Sequence, residues 1–182
     1  MKDAEEKLNA MRENALPDKP SELIRLALRD MEACEGDAAY NVHFQHWHKP
    51  ERARRGDPRS ELTGACLVCL AGSVMAKTLG AFPHEELVPS HFKEDGELNS
   101  PVRGKLMALD CFRSGDVLGA FFELNAFKDG GEAVPGPDGV KRLRSVWEQH
   151  VQPSGTFKNN EDVANFLQGM AVFADELDEM GH

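Results

Sequence analysis

Apolar positions along the chain recur at helical spacing in most segments and at extended spacing in one. Between residues 20 and 35, Leu23, Ala27, Leu28, Met31 and Cys34 return every three or four residues, predicting a helix stopped by Gly36. Asp18 or Ser21 is placed to cap it. Val102, Leu106, Leu109 and Phe112 predict another, opened by the pair Ser100-Pro101. Val117, Phe121 and Leu124 predict a short helix over 117–127 behind Asp116 as cap, and Val140, Leu143, Trp147 and Val151 mark one over 140–151. Val163, Phe166, Leu167, Met170, Phe173 and Leu177 form the longest stripe, near the C-terminus. Residues 2–15 read as a polar, weakly amphipathic helix closed by Pro17, with few apolar residues to hold it down.

Two segments depart from this pattern. Over 40–48 the period becomes two. Tyr40, Val42, Phe44, His46 and His48 fall on one face of a strand, and Asn41, His43, Gln45 and Trp47 on the other. Residues 49–63 then read as a charged loop with Pro50, Gly56 and Pro58 as breakers. From Gly64 to Ala76 the chain carries no charge and is apolar nearly all round, which predicts a central buried helix over 64–79 ended by Gly80. The expectation is a mainly α fold of about seven helices with a small β element. A polar N-terminal helix (1–17) would precede one globular domain (18–182) built around helix 64–79.

Charge narrows the partners. Lys and Arg number 21 against 31 Asp and Glu in 182 residues, a net charge of −10. Nucleic-acid binders present cations to phosphates. Here basic residues concentrate only at Lys49, Arg52, Arg54, Arg55 and Arg59, so direct sequence-specific binding of nucleic acid is not expected. Acids gather in two windows, 85–97 and 175–179, suited to the basic surface of another protein. The candidate partner-binding residues are Glu85, Glu86, Glu94, Asp95, Asp175, Asp178 and Glu179. A solvated helix end accounts for the second window equally well. No segment approaches the ~18 apolar residues of a membrane helix, and the N-terminus lacks the apolar core of a signal peptide. A cytoplasmic location without membrane association is expected, and homo-oligomerisation stays open.

One constellation carries chemistry. His46-x-His48 precedes Cys66-x-x-Cys69. On an extended strand the two imidazoles share a face, and on a helix start the two cysteines share another, with thiol pKa values lowered there. Two imidazoles and two thiolates complete a closed, structural zinc site, although in zinc fingers the cysteines come first. The same residues admit other readings: a thiol–disulfide pair, or Cys66 as a nucleophile with a histidine base. They also admit the plain one, in which both cysteines pack inside an apolar helix. Cys34 and Cys111 read as buried hydrophobes. His84-Glu85-Glu86 and His91 match no ligand spacing on a helix face, and DGGEAVPGPDG has neither a P-loop lysine nor EF-hand ligands. No cofactor is called for beyond the candidate zinc.

The run Tyr40-Asn-Val-His-Phe-Gln-His-Trp47-His48-Lys-Pro50, with Cys66-Leu-Val-Cys69-Leu-Ala-Gly-Ser-Val-Met-Ala76, resembles small proteins encoded by bacteriophages and prophages, over about residues 21–80. The resemblance implies a phage-type accessory protein in a bacterial host, a class that includes inhibitors of host defence and modifiers of host enzymes. It transfers no catalytic residue. Two functions follow as expectations. The first is a non-enzymatic protein that binds and modulates a host or phage protein through acidic surface. The alternative is a small zinc- or thiol-dependent enzyme, or a zinc-stabilised domain, centred on His46, His48, Cys66 and Cys69.

Overall fold

Pro20 fixes the first turn of α1 (Pro20–Glu35), and the stripe from Leu23 to Cys34 is buried along its length. Lys19 occupies the N-cap position, so neither Asp18 nor Ser21 caps the helix; Asp18 pairs with Lys105 and Ser21 is buried. The computed structural model describes residues 16–43, 46–54, 56–88, 101–154 and 160–182. The expected helix over 2–15 and the acids Glu94 and Asp95 lie outside them.

Three strands follow: β1 (Tyr40–Val42), β2 (His48–Arg52) and β3 (Leu62–Val68). They form one sheet in the order β1-β3-β2, with β1 parallel to β3 and β2 antiparallel to it. This corrects three expectations. The strand expected over 40–48 is two strands on opposite sides of β3, separated by residues 43–47. The charged loop expected over 49–63 includes most of β2 and the start of β3. The helix expected over 64–79 begins only at Leu70, as α2 (Leu70–Lys77). The end of the middle strand, Cys66–Val68, is buried on both faces, and such a stretch and a buried helix both read as unbroken apolar runs.

The rest is helical: α3 (Pro101–Arg113), α4 (Val117–Asn125), α5 (Pro137–His150) and α6 (Asn160–Glu179), with a 3₁₀ turn over Gln152–Ser154. The fold is thus mostly helical with a small sheet, and the described residues hold six helices where about seven were expected. Asp116 caps α4 by accepting from the Gly119 N–H at 3.0 Å. The main core runs through all six helices and includes Phe112, Phe121, Phe166 and Phe173, all fully buried. Cys111 departs from its reading as a buried hydrophobe and is only partly covered.

Helix α6 closes the helical layer against α1. Lys19 and Arg25 of the first segment reach Asp178 and Asp175 of the last, with Arg25 Nη2 2.9 Å from Asp175 Oδ1. Arg142 of α5 reaches Glu176 and, at 3.2 Å, Glu179. Two glycines permit close backbone approach. A Cβ on Gly169 would fall 2.0 Å from the His150 carbonyl oxygen, and one on Gly72 would fall 1.3 Å from that of Trp47. The second contact seats the Trp47 backbone on α2 and thereby places His48.

Candidate functional site

Alternation along the sheet sorts its side chains between two faces. Cys66 and Val68 turn inward, where they pack with Cys34 of α1, Tyr40 and Ala76 of α2. Leu67 turns outward. In the pairing register it stands beside Asn41 and Lys49, so the outer face of the sheet floors an open cleft of about 610 Å³. His43, His46, Lys49, Glu51, Arg52, Asp57 and Glu86 line it, and the His43 and His46 rings stack at 4.8 Å. A register shift between Pro50 and Arg52 interrupts the alternation of β2, and Lys49, Glu51 and Arg52 all reach the same cleft.

Of the four expected metal ligands, two meet. His48 is 1% exposed, Cys66 is fully buried, and Cys66 Sγ lies 3.4 Å from His48 Nδ1. That nitrogen also lies 2.6 Å from the Glu85 carbonyl oxygen. A carbonyl only accepts, so this contact assigns the proton to Nδ1. Cys66 therefore faces an N–H, not the lone pair a general base would offer. Burial pushes the Cys66 thiol up to about 12, the reverse of the lowering expected at a helix start. The structure gives the reason: Cys66 is on β3, not on a helix.

Cys69 is the N-cap residue of α2 and is buried in the main core, where burial pushes its thiol up to about 11. Cys66 and Cys69 thus share no helix face, and His46 shares no strand with His48; it precedes β2 and opens on the cleft. Among the described residues, no three His, Cys, Asp or Glu side chains converge as a metal-binding group.

His48 instead pins the segment after α2 to the sheet. Its ring holds the Glu85 carbonyl, and its own carbonyl accepts from the Leu87 N–H at 2.9 Å. Glu85 Oε2 accepts from the Phe82 N–H. Beside this segment Phe82 is 54% exposed and stacks on His84, while Leu62 is 50% exposed across a groove of about 210 Å³ lined by Pro83 and His84. Sequence patterning missed this groove because Leu62, Pro83 and His84 belong to no periodic stripe.

The acidic windows differ from each other. The Glu85 carboxylate is held at the Phe82 N–H, and Glu86 borders the cleft. Asp175, Asp178 and Glu179 meet Arg25, Lys19 and Arg142, so the second window is matched by cations of the same chain. Lys19 and Arg25 hold the Asp178 carboxyl below the usual range, chiefly through the hydrogen bond from Lys19. No helix among the described residues is long and apolar enough to cross a membrane. No protein-family model matches the chain, and no curated protein or solved structure is significantly similar to it.

Proposed function

We propose that the protein acts by binding: a non-enzymatic, phage-type accessory protein in the cytoplasm of a bacterial host that attaches to a host or phage protein and modulates it. The observation that carries this reading is exposed apolar surface: Leu62 lines the groove and Phe82 stacks on its His84 wall, both about half exposed, with the Glu85 carboxylate held at the Phe82 N–H. Exposed apolar surface rimmed by charge suits a partner that presents apolar and basic side chains together. The second acidic window is a weaker contributor, since Asp175, Asp178 and Glu179 already face cations and a partner must compete with them.

Affinity capture from host lysate at rising salt tests the proposal. The wild-type chain should retain a defined stoichiometric partner that dissociates as salt screens the carboxylates. Phe82→Asp should lose that partner while keeping its melting temperature. Equal capture by Phe82→Asp, or capture indifferent to salt, overturns the assignment.

A second reading, a zinc-stabilised domain or zinc- or thiol-dependent enzyme, has the His48–Cys66 contact in its favour. Metal content of protein purified without a polyhistidine tag decides it. Stoichiometric zinc lost in both His48→Ala and Cys66→Ala supports that reading, and zinc-free folded protein removes it.

A further inference from the structure

We propose that the cleft on the outer face of the sheet binds a phosphorylated sugar, either free or as part of a mononucleotide. Its volume of about 610 Å³ lies within the roughly 300–1,000 Å³ range of small-ligand sites. Its lining divides into the two chemistries such a ligand needs. Lys49 and Arg52 bring cations to one cleft, on a segment where five basic residues stand against two acids between positions 49 and 59, in a chain of net charge −10. A phosphate entering this cleft meets Lys49 and Arg52, and Lys and Arg are the side chains suited to it.

The carboxylates of the lining, Glu51, Asp57 and Glu86, have different tasks. Glu51 Oε2 accepts from Asn41 Nδ2 at 3.0 Å and from Thr63 Oγ1 at 3.1 Å, and Asp57 Oδ1 accepts from the Arg59 N–H at 2.9 Å. Both hold the hairpin and its turn and keep their charge, and Arg52 Nη1 in turn donates to the Ser60 carbonyl at 2.8 Å, so Lys49 is the principal contact for the phosphate. Glu86, next to Leu87 that is hydrogen-bonded to His48 of β2, is an acceptor for sugar hydroxyls, which a bare anion lacks. The apolar floor at Leu67 and the stacked His43 and His46 rings present flat, weakly polar surface to the body of the ligand. An extended nucleic acid is disfavoured, because its flanking phosphates would run onto the acidic remainder of the surface.

Isothermal titration of the full chain with ribose 5-phosphate, adenosine monophosphate and inorganic phosphate at low salt tests this. One or both of the sugar phosphates should bind more tightly than inorganic phosphate, and adenosine monophosphate above ribose 5-phosphate would mark the nucleotide as the source. Lys49 is exposed, so Lys49→Gln leaves the core intact and should weaken binding by about tenfold or more. Lys141→Gln, exposed on α5 away from the cleft, should leave it unchanged. No binding up to millimolar ligand, inorganic phosphate binding as tightly as the sugar phosphates, or undiminished affinity in Lys49→Gln overturns the proposal. None of these results bears on the Phe82 groove, whose test uses a different variant and a macromolecular partner.

Discussion

The helical layer and the three-stranded sheet are stabilised by different means. In the helices, four phenylalanines and the leucines around them are fully buried, so stability comes from apolar burial spread over many contacts. In the sheet, the inner cluster is five residues: Cys34, Tyr40, Cys66, Val68 and Ala76. Its strands are fixed by individual polar contacts: His48 to the Glu85 carbonyl, Asn41 and Thr63 to Glu51, and Arg52 to the Ser60 carbonyl at 2.8 Å. A region held by burial resists single changes and fails as a whole. One held by a few polar contacts can loosen on its own, and this is the region that carries both the groove and the cleft.

The largest expected effect tests the helical side. Phe112 contacts Phe121 and Phe173 edge-on in the middle of the core. Phe112→Ala should cost about 3–5 kcal/mol, and the sheet should unfold with the helices in one transition by circular dichroism. A loss below about 1 kcal/mol would mean the core is not centred there.

Gly72→Ala probes the sheet side. The added methyl cannot coexist with the Trp47 carbonyl at 1.3 Å, so the Trp47 backbone must leave α2 at an overpacking cost of about 1–3 kcal/mol. Hydrogen exchange should accelerate in β1 and β2 and stay slow in α3 through α6. Uniform acceleration would show that the two regions are one cooperative unit.

A smaller effect is readable through pH. Burial raises the pKa of Asp30, against the lowering effect of Thr78 and Arg29. Its ionisation therefore costs stability as pH rises from the unfolded value of about 3.9 through the folded one. Asp18 has the opposite sign. Lys105 lowers its pKa, so its contribution is present above the unfolded value and is lost as pH falls through the folded one. Asp30→Asn should remove the first dependence and leave the second, as read from urea midpoints across the acid range. Superimposable profiles for wild type and variant would refute the assignment to Asp30.

The smallest effect belongs to the exposed ion pairs of α6. Exposed pairs contribute about 0–1 kcal/mol, so Asp175→Asn should leave the melting temperature almost unchanged. A large drop would mean that the seam with α1 contributes more than its exposure implies.

The same division decides what was legible in the sequence. In α1, α3, α4 and α6 the buried stripes stand where three-and-four spacing puts them, because each helix has one wet face that keeps the pattern clean. Residues 66–69 have no such contrast. Leu67 is buried on the outer side and Cys66 and Val68 on the inner, so the period of two disappears and the strand imitates a helix. For the candidate site, the pairing of His48 with Cys66 was legible as a proximity of residue types. Its chemistry was not, because the proton on Nδ1 is set by a backbone carbonyl from Glu85, whose position depends on the path of the chain after α2. The groove beside Phe82 had no signal of its own: Phe82 and Leu62 belong to no periodic stripe.

The seam between α1 and α6 has a kinetic consequence. Arg25 and Asp175 are 150 residues apart in the chain, whereas the α3–α4 and α5–α6 pairs join neighbours in sequence. Closing so long a loop before its interior is ordered is entropically unfavourable, and each doubling of loop length adds about 0.6 kcal/mol. Local helix pairs therefore form first, and α1 docks on a surface already assembled. Contacts made after the folding barrier govern the rate of unfolding more than the rate of folding. On that account the apolar seam of α1 on α6, with its ion pairs a minor part, acts as a clasp on the finished molecule, and sets how long it stays folded more than how quickly it forms.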